Sequence, residues 1–184
     1  LNIVKSNADD GNIVAKRDYA LLLFYFTTGM RRREVIQLRW GDLKIGDVIV
    51  LTTEVKGGEY LSREVRDPSV KKALLGYLQA SNRLDAMTSD TPLWTAHDRS
   101  GQHIGKPLTS HAFAKNLKKY AKLAGLRHIH LHQTRHTYAR IVSEDTGSIT
   151  DTQDALGHKN AATTKVYVQR IAVKKDKHSE RVAA

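Results

Sequence analysis

Apolar residues crowd into one early stretch of the chain and then thin into periodic stripes, and this uneven pattern divides it into elements. From Ile13 to Thr28 the length and apolar density are those of a buried helix, and Gly29 follows as a residue able to adopt a positive φ and end it. A short helical segment over Arg32 to Leu38 then leaves Arg31 at the corner between two helices. Val48 to Thr52 and Tyr60 to Val65 carry strand-favouring residues on either side of Lys56-Gly57-Gly58, which predicts a hairpin with a lysine at its turn. Pro68 opens a helix running to about Asn82, whereas Ser89 to Pro107 is polar and poorly periodic. That stretch reads as a long surface connection with one short strand at Leu93-Trp94. Thr109 or Ser110 caps a helix reaching Gly125, Gln133 to Asp145 forms another and Ile149 to Leu156 a short third. Asn160 caps a fourth helix, carrying Tyr167. The expected fold is mainly α with a small antiparallel β-hairpin, an α+β class.

Composition narrows the chemistry. The 184 residues are 40% hydrophobic, enough for one domain with its own core. Cysteine is absent, which excludes disulfide scaffolds, thiolate metal sites and cysteine nucleophiles. The longest apolar run, Ala20 to Phe26, is too short to span a bilayer, and no signal peptide precedes it, so a cytoplasmic protein that meets no membrane is expected. The chain starts at Leu1 in what reads as mid-protein sequence and is expected to be a fragment. With 30 Lys and Arg against 19 Asp and Glu, its formal charge is +11, as suits a partner of nucleic acid phosphates. A generically cationic soluble protein fits the charge equally well, so particular residues must decide.

Arg31 follows a glycine corner with Glu34 three residues on, an arrangement that orients one guanidinium by a carboxylate; Arg32 and Arg33 read as backbone contacts or ordinary surface. His132 and Arg135 share one helical face, while His136 faces away and is expected to be a buried structural partner. His132 and His136 have metal-ligand spacing, yet no glutamate stands beside them and no cysteine exists, so no metal is expected. Leu156-Gly157-His158 is followed nine residues after the histidine by Tyr167. Tyr77, Tyr120 and Tyr138 compete with Tyr167 on composition alone. A phenol with a free pKa of about 10 needs nearby arginine and histidine charges to act as a nucleophile, and the histidine beside Tyr167 favours it.

Taken together these residues resemble the catalytic domain of the tyrosine recombinase family, the phage-integrase type of DNA breaking and rejoining enzyme. The family's T-G-[LM]-R-x-x-E corner matches Thr28 to Glu34, its H-x-x-R-H box matches His132 to His136, and its L-G-H with a tyrosine nine residues on matches Leu156 to His158 and Tyr167. The resemblance implies that Tyr167 attacks the scissile phosphate to give a covalent 3′-phosphotyrosine, with Arg31, Arg135 and His158 around the phosphate. By the same resemblance Lys56 is the general acid for the leaving 5′-oxygen and His132 assists proton transfer from the tyrosine. Glu34 and His136 are supporting residues, and no metal or cofactor is implied. Lys44, ahead of the strand pair, is a weaker rival to Lys56, and Glu59-Tyr60 and Thr134 depart from the family's usual basic residue and leucine.

The implied organisation is a catalytic domain over 1–172 and a charged tail over 173–184, with the N-terminal core-binding domain of the family missing. The implied partner is double-stranded DNA, bound by a homotetramer on two sites in the full-length protein; the fragment alone is expected to be a monomer. Lys115, Lys118 and Lys119 are either groove or phosphate contacts or a solvated helix face. The alternative enzyme reading is a type IB topoisomerase-like protein, which shares the nucleophile but relaxes DNA, and an inactive DNA-binding relative is the alternative of a different class.

Overall fold

Asn12 starts the helix around which the rest is built. In this computed structural model, which describes residues 1–55, 58–97, 105–126 and 131–157, the Asn12 side chain accepts from the backbone N–H groups of Val14 and Ala15. Helix α2 (Ile13–Thr28) runs from there to Gly29, whose φ of 59° closes it in the left-handed region. It is buried nearly all round, from Ala15 through Leu21, Leu22, Phe24 and Tyr25 to Thr28. A preceding helix, α1 (Asn2–Asp9), lies against it and was not legible in the apolar pattern, since only Val4 and Ala8 of that helix are buried.

Helix α3 (Arg32–Gln37) leads into a meander of strands β1 (Leu43–Ile45), β2 (Ile49–Val55) and β3 (Glu59–Val65), antiparallel in the order β1-β2-β3. The hairpin is longer than expected and gains an edge strand, because Leu43, Ile49, Leu51 and Val65 supply one continuous buried face. The opposite face is polar, with Thr52 and Ser62 directly paired and their hydroxyls 2.9 Å apart. Helix α4 (Pro68–Ala80) begins as expected at Pro68 behind an Asp67 cap and packs against α2.

The connection after α4 is where the sequence reading fails. Leu93, Trp94 and Thr95 are not on the surface: they are at most 1% exposed and run through the core. Trp94 sits edge-on to Phe24, stacks on Tyr77 and donates its indole N–H to the Val35 carbonyl at 2.8 Å. Lone bridges Arg39 to Pro92 and Thr95 to Pro107 replace a strand, so the backbone groups are satisfied without a periodic pattern. Arg83 adds to this, donating to the carbonyls of Leu93 and Pro92.

Helix α5 (Ser110–Leu123) starts at the Thr109 cap and presents Phe113, Leu117, Tyr120 and Ala121 inward, leaving Lys115, Lys118, Lys119 and Lys122 exposed. Helix α6 (Leu131–Thr146) and the short α7 (Ile149–Leu156) pack on each other, and α6 reaches back to α2. Gly157 ends α7 with a φ of 63°. Among the described residues no helix is long and apolar enough to cross a membrane.

Candidate active site

Three segments far apart in sequence meet at Arg135. This residue is 5% exposed, donating from Nη1 to the Gly29 carbonyl at 2.5 Å and from Nη2 to the Leu156 carbonyl at 2.6 Å. One planar fork thereby joins the turn that ends α2 to the turn that ends α7. The approach at Gly29 is close: a Cβ there would lie 2.2 Å from the Tyr138 ring, so glycine is required both by its φ and by the aromatic packed on it.

Arg31 stands on the solvent side of the same corner. Its side chain is 53% exposed and donates to Glu34 at 2.7 Å, while the other Glu34 oxygen accepts the backbone N–H of Arg31 at 2.7 Å. The carboxylate therefore fixes the first turn of α3 and the guanidinium together, as the spacing predicts. Burial would raise the Glu34 carboxyl, but the two hydrogen bonds and the charges of Arg31 and Arg135 outweigh it and hold the group below its ordinary value.

Arg63 falls in none of the motifs above. It lies on β3 opposite Leu51, half-buried, with Nη1 donating to the Thr28 carbonyl at 3.4 Å. Burial pushes its guanidinium below the ordinary arginine range, with the Glu34 carboxylate opposing and Arg31 reinforcing that shift. Three guanidiniums thus act on the single carboxylate of Glu34, and the corner is cationic. The sign in the sequence was the period-two alternation of Leu61, Arg63 and Val65, which puts an arginine on an inward strand face.

His136 is exposed rather than buried. The helical period explains the correction: Arg135 and Ala139 mark the buried face of α6, and His136 is rotated by one residue off it. Thr134 faces α2, where its side chain hydrogen-bonds the Tyr25 phenol. His132 lies in the first turn of α6, and its side chain is outside the described residues, as are Lys56, His158 and Tyr167. Lys44 is on the edge strand β1, paired with Val50 and so toward the end of the sheet opposite the β2–β3 turn. Among the described residues no group of three His, Cys, Asp or Glu side chains could hold a metal ion.

The rival tyrosines are each engaged elsewhere. Tyr77 is fully buried, 3.0 Å from the Thr95 hydroxyl and 3.1 Å from His97 Nε2. Tyr120 donates to Asp18 at 3.0 Å, and burial with the Asp18 charge pushes its phenol far up. Tyr138 covers Gly29, its phenol raised by burial against the opposing charges of Arg63 and Arg135.

Residues 3–172, a span that includes the corner, the α6 box and the α7 turn, match the sequence model of the phage integrase family. The chain belongs to that family. This integrase-family chain is 32% identical to the tyrosine recombinase XerC of Pseudomonas aeruginosa over 168 residues, which are 87% of it and 50% of that protein. It is 30% identical to XerC of Xanthomonas campestris over 152 residues, 82% of the chain and 44% of the relative. The integrase-family chain thus spans about half the length of these relatives. Among solved structures it is similar to the XerH site-specific recombinase bound to a palindromic difH substrate in a post-cleavage complex. The TM-score is 0.72 at 22% identity, over 93% of this chain and 46% of that one. XerA recombinase aligns with a TM-score of 0.68 at 22% identity, over 89% and 54%. At these identities the structural likeness establishes the fold.

Proposed function

We propose that this chain is the catalytic half of a site-specific DNA recombinase, which cuts and rejoins duplex DNA through a covalent 3′-phosphotyrosine. The observation that carries the reading is the Arg135 fork, which draws the Arg31 corner and the turn before His158 to one place. A cationic corner of this kind suits a phosphodiester whose negative charge grows as it is attacked.

In the reaction, the Tyr167 phenolic oxygen forms a bond to phosphorus and the bond from phosphorus to the 5′-oxygen breaks. The phenol proton passes to His132, and Lys56 supplies a proton to the departing oxygen. Arg31, Arg135 and His158 stabilise the non-bridging oxygens. The phosphodiester energy is kept in the protein–DNA bond, so attack by another 5′-hydroxyl releases Tyr167 and seals a new junction without a metal or nucleotide. The engagement of Tyr77, Tyr120 and Tyr138 in other contacts supports Tyr167 as the nucleophile. In the longer protein the reaction takes place within a homotetramer that pairs two duplex sites in the cytoplasm.

The test is a covalent adduct on nicked suicide duplexes made from the DNA flanking the chain's own gene, with EDTA present. Adduct mapped to Tyr167 and lost in Tyr167→Phe is expected. Arg31→Ala should slow it by about 10²-fold. An adduct on another tyrosine, or none even with the longer chain, overturns the reading.

A further inference from the structure

Arg135 and Arg63 reach the same two turns from different elements. Arg135, on α6, holds Gly29 and Leu156; Arg63, on β3, meets Thr28 and Gly157, the adjacent residue in each turn. A Cβ at Gly157 would lie 2.9 Å from Arg63 Nη2 and 2.9 Å from Leu61 Cδ2, so the α7 turn rests directly on the inward face of β3. Below that face the strand is anchored by Leu51 and Val65, which are 0% and 5% exposed.

We infer that Arg63 is a positioning residue, holding the β2–β3 hairpin at a fixed offset from the two turns that carry Arg31 and lead into His158. The cost of the residue supports a role beyond packing. Its Nε is buried without a hydrogen-bond partner among the described residues, and its bond to Thr28 is long. An aliphatic side chain on this face, like the Leu61 and Val65 beside it, would avoid burying a cation so incompletely paired. What only a long, forked cation supplies is simultaneous reach to both turns from the sheet. Arg135 keeps the turns joined to each other; Arg63 joins them to the hairpin.

The two staples make different failures. Loss of Arg63 leaves the Arg31 and Arg135 pair in place but lets the hairpin shift against it, and a displacement of about 1 Å costs about 10²-fold in a positioned reaction. The consequence for chemistry rests on the reading above, in which the hairpin turn carries the proton donor Lys56.

Two measurements on R63M and R63K test it. Hydrogen exchange of the free chain should show the amides of β2 and β3 and of the Gly157 turn exchanging about tenfold faster or more in R63M, with α4 unchanged. Unchanged hairpin protection overturns the inference. At the cleavage position mapped by the adduct assay, R63M should form adduct about 10²-fold more slowly at saturating DNA, with DNA binding unaltered. A substrate with sulfur in place of the leaving 5′-oxygen, which needs no proton donor, should restore R63M to near the wild-type rate. Equal loss on oxygen and sulfur substrates overturns it. R63K keeps the charge without the fork and should behave as R63M; wild-type behaviour would overturn the two-turn geometry. If neither the wild-type chain nor the longer protein forms adduct on either substrate, the recombinase reading fails, and hydrogen exchange alone judges Arg63.

Discussion

Arg17 Nη2 donates to the carboxylate of its neighbour in sequence, Asp18, at 2.6 Å, with both side chains 4% exposed. Successive residues on a helix rarely face each other, and here they do so because Asp18 is held from the far side. Its carboxylate also accepts from Asn116 Nδ2 and the Tyr120 hydroxyl on α5, and Arg17 Nη1 donates to the Thr95 carbonyl. This network ties α2 to α5 and to the buried connection.

Asp18→Ala should therefore be among the most damaging substitutions, at about 3–5 kcal/mol, because it strands a buried guanidinium and a phenol. Replacing both members with apolar residues of similar volume, Arg17→Met with Asp18→Leu, should cost less than Asp18→Ala alone. Urea denaturation of the three chains checks the order.

At Gly29 the prediction combines conformation and space. Gly29→Ala places a Cβ 2.2 Å from the Tyr138 ring at a φ of 59°, so the ring or the corner must move. The left-handed backbone alone costs about 1–2 kcal/mol for an alanine. Thermal unfolding should show a loss exceeding that figure, and Tyr138→Ala in the same chain should recover the part due to the clash.

Glu34 makes the corner acid-sensitive. Its carboxyl lies below the ordinary 4.5 in the folded chain, so its contribution is fully present above the unfolded value and is lost as pH falls through the folded one. The stability difference between wild type and Glu34→Gln should shrink as pH drops below about 4.5 and vanish once both states are protonated. Denaturation midpoints across that interval measure it; a difference independent of pH would show that the carboxylate charge contributes nothing.

Much of this fold is legible in the sequence. Helix α2 announces itself through uninterrupted apolar residues and its Gly29 stop, and the hairpin through two strand-like runs around glycines. Leu93 to Thr95 carries no sign of its burial because an irregular segment leaves no period: its backbone is satisfied by single bridges and by Arg83, which sequence spacing does not reveal. Helix α1 leaves little apolar signal because it buries only Val4 and Ala8. At the site, the pairing of Arg31 with Glu34 follows from helical spacing alone. The link from Arg135 to Gly29 spans 106 residues and the approach of Arg63 to Gly157 depends on how the sheet meets α7, so neither has a local signature.

The partners of Arg135 have an electrostatic consequence. Gly29 caps the C-terminus of α2 and Leu156 is the last residue of α7, so both carbonyls lie at the negative poles of helix macrodipoles. Two half-charges at helix ends ease the desolvation of the buried guanidinium, yet peptide groups carry no net charge. Its formal unit of charge persists in the field beyond those contacts, where an incoming anion feels it.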